Sequence, residues 1–263
     1  MIKLPPELAK QWYMRDYYGT VNHNVKAVYQ YYLGWYDGNP SNLHPLPPVE
    51  AAKRYVDYMG GADRVIQRAK MSYGKGDFRW VAEVMKHVVF ADPHNTEALH
   101  LLADAYEQLG YQAESGPWRA VYLTGAQELR NGVPKDVPNI VSPDVVKAMT
   151  PEMVLSYLAI HVNPDKMTGK TLKINWKQPG SNDVYALSVE NGVLLYKKGK
   201  PHIAPDMTLT LPAAELMAVA SGQISLKEAV RESKGSLSGN PLKTIEFTDM
   251  LDRFNLMFPI VTP

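Results

Sequence analysis

The sequence predicts an all-α part followed by an α+β part, and three observations carry this prediction. Apolar residues recur at helical spacing almost throughout the first 132 residues. Three prolines and a glycine interrupt every period between residues 131 and 143. Beyond them, Leu172, Ile174 and Trp176 alternate with polar residues, which is the period of a half-buried strand. We therefore predict domains at residues 1–132 and 143–263, joined by a linker at 133–142.

The first part begins with three predicted helices. The first covers residues 24–36, and Asn22 or Asn24 is placed to cap its first turn. The second and third cover residues 49–59 and 62–73. A pair of glycines separates these two helices and can end the earlier one, because glycine permits a left-handed cap.

Residues 77–129 predict paired helices with a short Asp-Pro-His-Asn joint at 92–95. Gly110 is expected to end the second member of the pair. The segment is similar to a tetratricopeptide helix pair, but it has no clear second copy at a period of about 34 residues. This predicts a single helix-pair module and not a solenoid.

The second part mixes helices and strands. A helix is predicted near residues 142–161, and strands are predicted at 171–176 and 207–211. Asn191-Gly192 lies between two further strand-like runs, and it is a strong hairpin signal because both turn residues must tolerate positive φ.

Three predicted helices close the chain, over residues 213–221, 226–232 and 242 to about 257. A turn at residues 238–241 precedes the last of them. Strands in one run and helices in another predict a sheet that is covered by helices on one side.

Composition excludes several classes of function. The 28 Lys and Arg balance 27 Asp and Glu without a basic block, so nucleic acid is not an expected partner. No stretch reaches the roughly 18 apolar residues that span a bilayer, and no transmembrane segment is expected. The first residues also lack the apolar core of a signal peptide. Since cysteine is absent, any metal must be held by His, Asp or Glu.

Three segments, residues 15–40, 76–84 and 118–130, closely resemble one enzyme family. That family is the bacterial zinc alkylsulfatases, or linear alkyl sulfatases, of the metallo-β-lactamase superfamily, and the likeness is to their helical dimerisation domain. Residues 143–263 resemble sterol-carrier-protein domains in layout and in the Gly239-Asn240-Pro241 turn before an apolar helix. The chain therefore resembles the carboxy-terminal part of such an enzyme.

The resemblance implies that the domains of the enzyme have different functions. In the family, a metallo-β-lactamase-type domain with two zinc ions hydrolyses alkyl sulfate esters such as dodecyl sulfate to alcohol and sulfate. Its His-x-His-x-Asp-His cluster does not occur among the seven isolated histidines of this sequence. We expect a homodimer that works with such a catalytic domain, binds a long-chain alkyl or lipid-like ligand, and by itself is inactive and holds no zinc stably. Family members are often periplasmic or secreted, which leaves the location of this chain open.

Two polar residues are site candidates by this resemblance. His23, in Gly-Thr-x-x-His-Asn, matches the last ligand of the zinc pair; without the resemblance, a hydrogen bond to a backbone carbonyl is the more common role of a lone histidine. Stable zinc sites use three or four ligands, so His23 forms an incomplete site. Arg15 could contact the sulfate group through its guanidinium, and the alternative is an ion pair with a carboxylate such as Asp16.

Apolar and aromatic residues form two further candidate sites. Nine aromatic residues crowd into residues 12–36, which suits either an interface or a local core. In the second part, an alkyl-binding pocket is predicted, although the same residues would also form an ordinary core. Its candidate lining is Leu211, Leu216, Met217, Leu251, Phe254, Met257 and Phe258. A stand-alone, non-catalytic dimeric protein that binds lipid or alkyl chains is therefore the alternative function.

Overall fold

A computed structural model describes residues 3–135 and 142–263. The chain divides into two compact units, Met1–Asp136 together with Met257–Pro263, and Val137–Leu256. The prediction of an all-helical part followed by an α+β part is confirmed. Residues 136–141 of the predicted linker lie outside the described residues. The predicted domain limits stay predictions, and the last seven residues belong to the helical unit.

The first unit contains seven α-helices in its described residues. They are α1 Pro6–Ala9, α2 Val21–Leu33, α3 Pro48–Tyr58, α4 Ala62–Gly74, α5 Phe78–Ala91, α6 Thr96–Gln112 and α7 Gly116–Asn131. Short 3-10 turns at Trp12–Met14 and Pro40–Asn42 precede α2 and α3. Gly60 and Gly61, with φ of 94° and 92°, separate α3 from α4 as expected.

The predicted position of the first long helix is wrong by three residues. The helix is capped by Thr20, whose hydroxyl accepts the His23 backbone N–H at 2.9 Å, and not by Asn22 or Asn24. It ends at Gly34, which has a φ of 79°. None of the residues of α2 is buried within this chain, in contrast to α3 through α7.

Helices α3 to α7 enclose the core of the first unit, in which Val81, Met85 and Leu102 are fully buried. The predicted helix pair is present as α5 and α6, with Asn95 capping α6. The expected helix end at Gly110 is wrong, because α6 continues to Gln112. A Cβ on Gly110 would lie 2.8 Å from a methyl group of Leu123, so this glycine serves the close approach of α6 and α7.

The second unit contains five α-helices and one five-stranded sheet in its described residues. They are α8 Pro143–Ala148, α9 Pro151–Ile160, β1 Leu172–Lys177, β2 Val184–Glu190, β3 Val193–Lys198, β4 Met207–Thr210, α10 Ala213–Ala220, α11 Leu226–Glu232, β5 Ser236–Gly239 and α12 Pro241–Asp249. The strand order is β3-β2-β1-β4-β5, in which β1 and β4 are parallel and the other pairs antiparallel. The predicted hairpin is confirmed, with Asn191 and Gly192 at φ of 51° and 75°.

Three predicted boundaries in this unit are wrong. The helix expected over residues 142–161 is two helices, because Pro151 forces the preceding Thr150 into an extended conformation with ψ of 159°. The turn expected at residues 238–241 begins as strand β5, where Leu237 pairs with Leu209. The last helix ends at Asp249 and not near residue 257.

Contacts with the end of α9 explain why α12 stops early. The Asn163 backbone N–H donates to the Met250 carbonyl at 2.8 Å, and the Asp252 N–H donates to the His161 carbonyl at 2.7 Å. The Asp252 carboxylate accepts from Lys166 Nζ at 2.6 Å and from Asn163 Nδ2 at 2.7 Å. These bonds replace the helical partners that the segment after Asp249 would otherwise need.

One face of the sheet forms the main core of the second unit with residues from α9, α10, α11 and α12. Trp176 and Tyr185 are fully buried there, with ring centroids 5.1 Å apart. The Trp176 indole N–H donates to the Leu211 carbonyl at 2.8 Å, and the Tyr185 hydroxyl donates to Glu152 at 2.7 Å. Burial and the bond to Glu152 raise the pKa of Tyr185 to about 12, so this hydroxyl remains a donor at neutral pH.

Candidate functional sites

The first candidate site surrounds His23, at the start of α2. Two backbone carbonyls of the preceding segment are bonded to the start of α7: Tyr18 accepts from the Ser115 hydroxyl, and Tyr17 accepts from the Gly116 N–H at 3.2 Å. Ser115 is also the N-cap of α7. These bonds hold the start of α2 beside the first turn of α7.

His23 is exposed and contacts a tryptophan of α7. The Trp118 indole N–H donates to His23 Nδ1 at 3.2 Å, so the observed contact is with a side chain and not with a backbone carbonyl. Because an indole N–H can only donate, the Nδ1 lone pair is engaged and the neutral ring carries its hydrogen on Nε2. Metal binding through Nε2 requires the other tautomer, which gives up the bond to Trp118.

The donor set around His23 does not make a zinc site by itself. Across residues 3–135 and 142–263, no three His, Asp or Glu side chains are grouped so that they could hold a metal ion. A zinc ion in a protein takes three or four such ligands. The described residues therefore do not fit a zinc centre of their own, and among them His23 can contribute one ligand.

Arg15 is paired with Glu114 and not with Asp16. The hydrogen bond to Glu114, followed by its charge, raises the pKa of Arg15 above its ordinary value. Asp16 instead accepts the Val21 N–H at 3.2 Å near the start of α2. Since the Arg15 side chain is 56% exposed, the pair with Glu114 contributes little stability and can be exchanged for another anion.

We use the name aromatic surface for eight side chains that are each more than half exposed. They are Trp12, Tyr13, Tyr17, Tyr18, Tyr29, Tyr31, Tyr32 and Trp35. Tyr36, the ninth aromatic residue within residues 12–36, is half-buried. An isolated helix of about 13 residues is marginal in water, and α2 buries none of its own residues in this chain. A surface of this kind suits contact with another protein surface.

The second candidate site is a cavity of about 500 Å³ in the second unit. Its wall includes Val219 and Ala220 of α10, Leu226 and Val230 of α11, Leu237 of β5 and Ile245 of α12. This volume lies within the range of pockets that hold small ligands, and such pockets are mostly apolar. The cavity can therefore accommodate an apolar chain.

The structure separates the seven residues predicted to bind the alkyl chain. Leu211, Leu216 and Met217 are buried in the core against the sheet, whereas Leu251 lines the cavity. The other three, Phe254, Met257 and Phe258, follow α12 as Leu251 does but are not among the residues that line the cavity. Phe254 stacks on His161 with a centroid distance of 4.5 Å, and Met257 belongs to the first unit.

Sequence reasoning missed Leu237 and the α11 residues of the cavity wall. The alternation Ser236-Leu237-Ser238 is the signal that could have identified β5. Within the part of the chain that the structure describes, no helix has both the length and the apolar character needed to cross a bilayer.

Together, the fold and these sites define a class: a helical unit with an exposed aromatic surface followed by an α+β unit with an apolar cavity. Residues 1–132 match the family described as alkyl sulfatase dimerisation, and residues 139–263 match the family described as alkyl sulfatase C-terminal. The chain belongs to the alkyl sulfatase family.

Individual relatives agree with this assignment. The chain is 48% identical to a linear primary-alkylsulfatase of Pseudomonas sp., over 100% of this chain and 39% of the relative. It is 45% identical to an alkyl/aryl-sulfatase of Saccharomyces cerevisiae, over 100% of this chain and 40% of the relative. The solved structure of the stereoselective inverting sec-alkylsulfatase Pisa1 from Pseudomonas sp. is similar with a TM-score of 0.90 and 44% identity, covering 100% of this chain and 41% of that one. The chain thus spans about two fifths of the length of these relatives.

Proposed function

We propose that this chain is the carboxy-terminal portion of a zinc-dependent alkylsulfatase that hydrolyses alkyl sulfate esters such as dodecyl sulfate to alcohol and sulfate. In that enzyme the first unit forms a homodimer and the second binds the alkyl chain. The observation that carries the proposal is the aromatic surface, on a unit that matches an alkyl sulfatase dimerisation family over residues 1–132. Large rings that keep a polar atom available are typical of interfaces.

The proposal assigns the zinc ions to a metallo-β-lactamase-type domain, because residues 3–135 and 142–263 do not fit a centre of their own. Arg15 would contact the sulfate group by exchanging Glu114 for it, since an exposed ion pair is weak. His23 stays the predicted additional ligand, and that role requires its ring to release Trp118.

Sulfate release tests the catalytic part of the proposal. The chain is mixed with a metallo-β-lactamase-type domain of an alkylsulfatase, and sulfate release from dodecyl sulfate is followed. We expect a gain of about tenfold or more over that domain alone, because Arg15 adds a charge-assisted contact to the substrate. Arg15→Gln should abolish most of the gain, whereas Arg54→Gln, which breaks a comparable exposed pair with Glu50, should not. Absence of any gain would contradict the proposal.

Light scattering tests the dimer. We expect a dimer at micromolar concentration. The double substitution of Tyr31 and Tyr32 by serine should raise the dissociation constant of the dimer at least tenfold. Both rings are about four-fifths exposed, at 83% and 77%, so their removal does not disturb a core. Tyr58→Ser removes a ring that is 96% exposed outside the aromatic surface and should leave the dimer unchanged. A monomeric parent chain, or equal effects of both variants, would count against this interface.

A second candidate function is a stand-alone, non-catalytic dimeric protein that binds lipid or alkyl chains. It is favoured by the cavity, whose described lining comes entirely from the second unit. The sulfate assay separates the two candidates, because a stand-alone binding protein gives no catalytic gain.

A further inference from the structure

The polar groups in the cavity wall are of two kinds. The hydroxyl groups already donate within their own helices: Ser225 to Glu228 at 2.8 Å, Thr244 to the Asn240 carbonyl at 3.3 Å, and Thr248 to the Ile245 carbonyl at 2.9 Å. Their hydroxyl hydrogens are therefore already used and are not available to a ligand.

Three charged side chains of the wall, Lys227, Asp249 and Arg253, form the second kind. All three are exposed, and none of them makes an ion pair within residues 3–135 and 142–263. The cavity wall therefore carries two cations and one carboxylate. A charged side chain without a partner beside an apolar pocket is available to the polar end of a ligand.

The position of Arg253 is set by its neighbours in the fold. The residues just before it are fixed, because Leu251 pairs with Val162 and the Asp252 N–H donates to the His161 carbonyl. Its side chain lies against Gly222, where an added Cβ would be 2.5 Å from the Arg253 Nε. Any side chain at Gly222 would displace the guanidinium, so the glycine makes room for Arg253 at the cavity.

We infer that the cavity binds a single-chain amphiphile with an anionic head group, with the tail against the apolar wall and the head held by Arg253 and Lys227. This inference rests on the proposed function, in which the second unit binds an alkyl chain, and adds selectivity for charge. The planar guanidinium can bind a sulfate or carboxylate through two parallel N–H donors. An uncharged alcohol of the same length cannot accept this pair of charge-assisted hydrogen bonds. The cavity therefore binds the alkyl sulfate ester more tightly than the alcohol.

Titration calorimetry on the full chain tests this selectivity with three ligands of equal tail length, each below its micellar concentration: octyl sulfate, 1-octanol and octyltrimethylammonium. Octyl sulfate is expected to bind at least tenfold more tightly than 1-octanol, and the cationic ligand most weakly. Arg253→Met should weaken octyl sulfate about tenfold and leave 1-octanol unchanged. The matched control is Arg231→Met, because Arg231 is exposed on α11, pairs with Glu232 and does not line the cavity.

Val230→Glu locates the binding site, because Val230 is a half-buried residue of the apolar wall and a carboxylate there should abolish binding of octyl sulfate and 1-octanol together. Unchanged binding in this variant overturns the assignment to the cavity. Equal binding of octyl sulfate and 1-octanol, or equal losses of both in Arg253→Met, overturns the charge selectivity but leaves alkyl binding intact. Binding of neither ligand to the parent chain overturns the alkyl-binding part of the proposed function as well.

Discussion

Replacing Gly239 with alanine is expected to destabilise the second unit by about 2–5 kcal/mol. Gly239 has a φ of 125°, which side chains rarely adopt, and it pairs with Met207 as the last residue of β5. An added Cβ would lie 2.4 Å from the Asp206 carbonyl oxygen and 2.6 Å from the Met207 Cα. Both neighbours are backbone atoms beside the central sheet, so they cannot move aside without breaking the pairing of β4 and β5.

Gly199→Ala is the matched control, because Gly199 also has a positive φ, 109°, but has no atom within 4 Å of an added Cβ. Its cost should be limited to backbone strain, about 1–2 kcal/mol. Urea titration with hydrogen exchange of peptides from β4 and β5 measures both variants against the parent chain. Equal destabilisation by the two substitutions would show that the clash at Gly239 is unimportant.

Leu187→Ala is expected to destabilise the second unit by about 2–5 kcal/mol, which is the usual cost of removing a fully buried leucine. Leu187 lies in the middle of β2, between Ile174 on β1 and Tyr196 on β3, and is 1% exposed. Neighbours on both sides restrict the collapse of the resulting space. The same urea titration, followed by hydrogen exchange of peptides from β1 and β2, measures the loss.

Leu195→Ala makes the same chemical change on the neighbouring strand β3. The Leu195 side chain is 54% exposed, so its truncation should change stability by no more than about 0.5 kcal/mol. A large effect at Leu195, or a small one at Leu187, would contradict the placement of the core on one face of the sheet.

Local patterns in the sequence determined most of the elements of this protein. The 3.6-residue period predicted α3 to α6 and the short helices α10 and α11, because one stripe of each must be apolar to pack against a core. Asn191-Gly192 predicted the β2–β3 hairpin from φ values that few other residues tolerate. Long segments of similarity identified the family without any knowledge of contacts, and matches over residues 1–132 and 139–263 agree with it.

The tertiary structure alone decided features that depend on partners distant in sequence. The strand β5 exists because its four residues pair with β4. Helix α12 stops because the following segment bonds to the end of α9. One of these bonds joins the Asp252 carbonyl oxygen to His161 Nδ1, 91 residues away. The contact of His23 with Trp118 and the cavity beside Arg253 arise in the same way. A sequence period reports which face of an element is buried, but it carries no information about which remote atoms meet that face. The sequence therefore determined most of the elements and the family, whereas packing determined β5, the end of α12 and the geometry of both candidate sites.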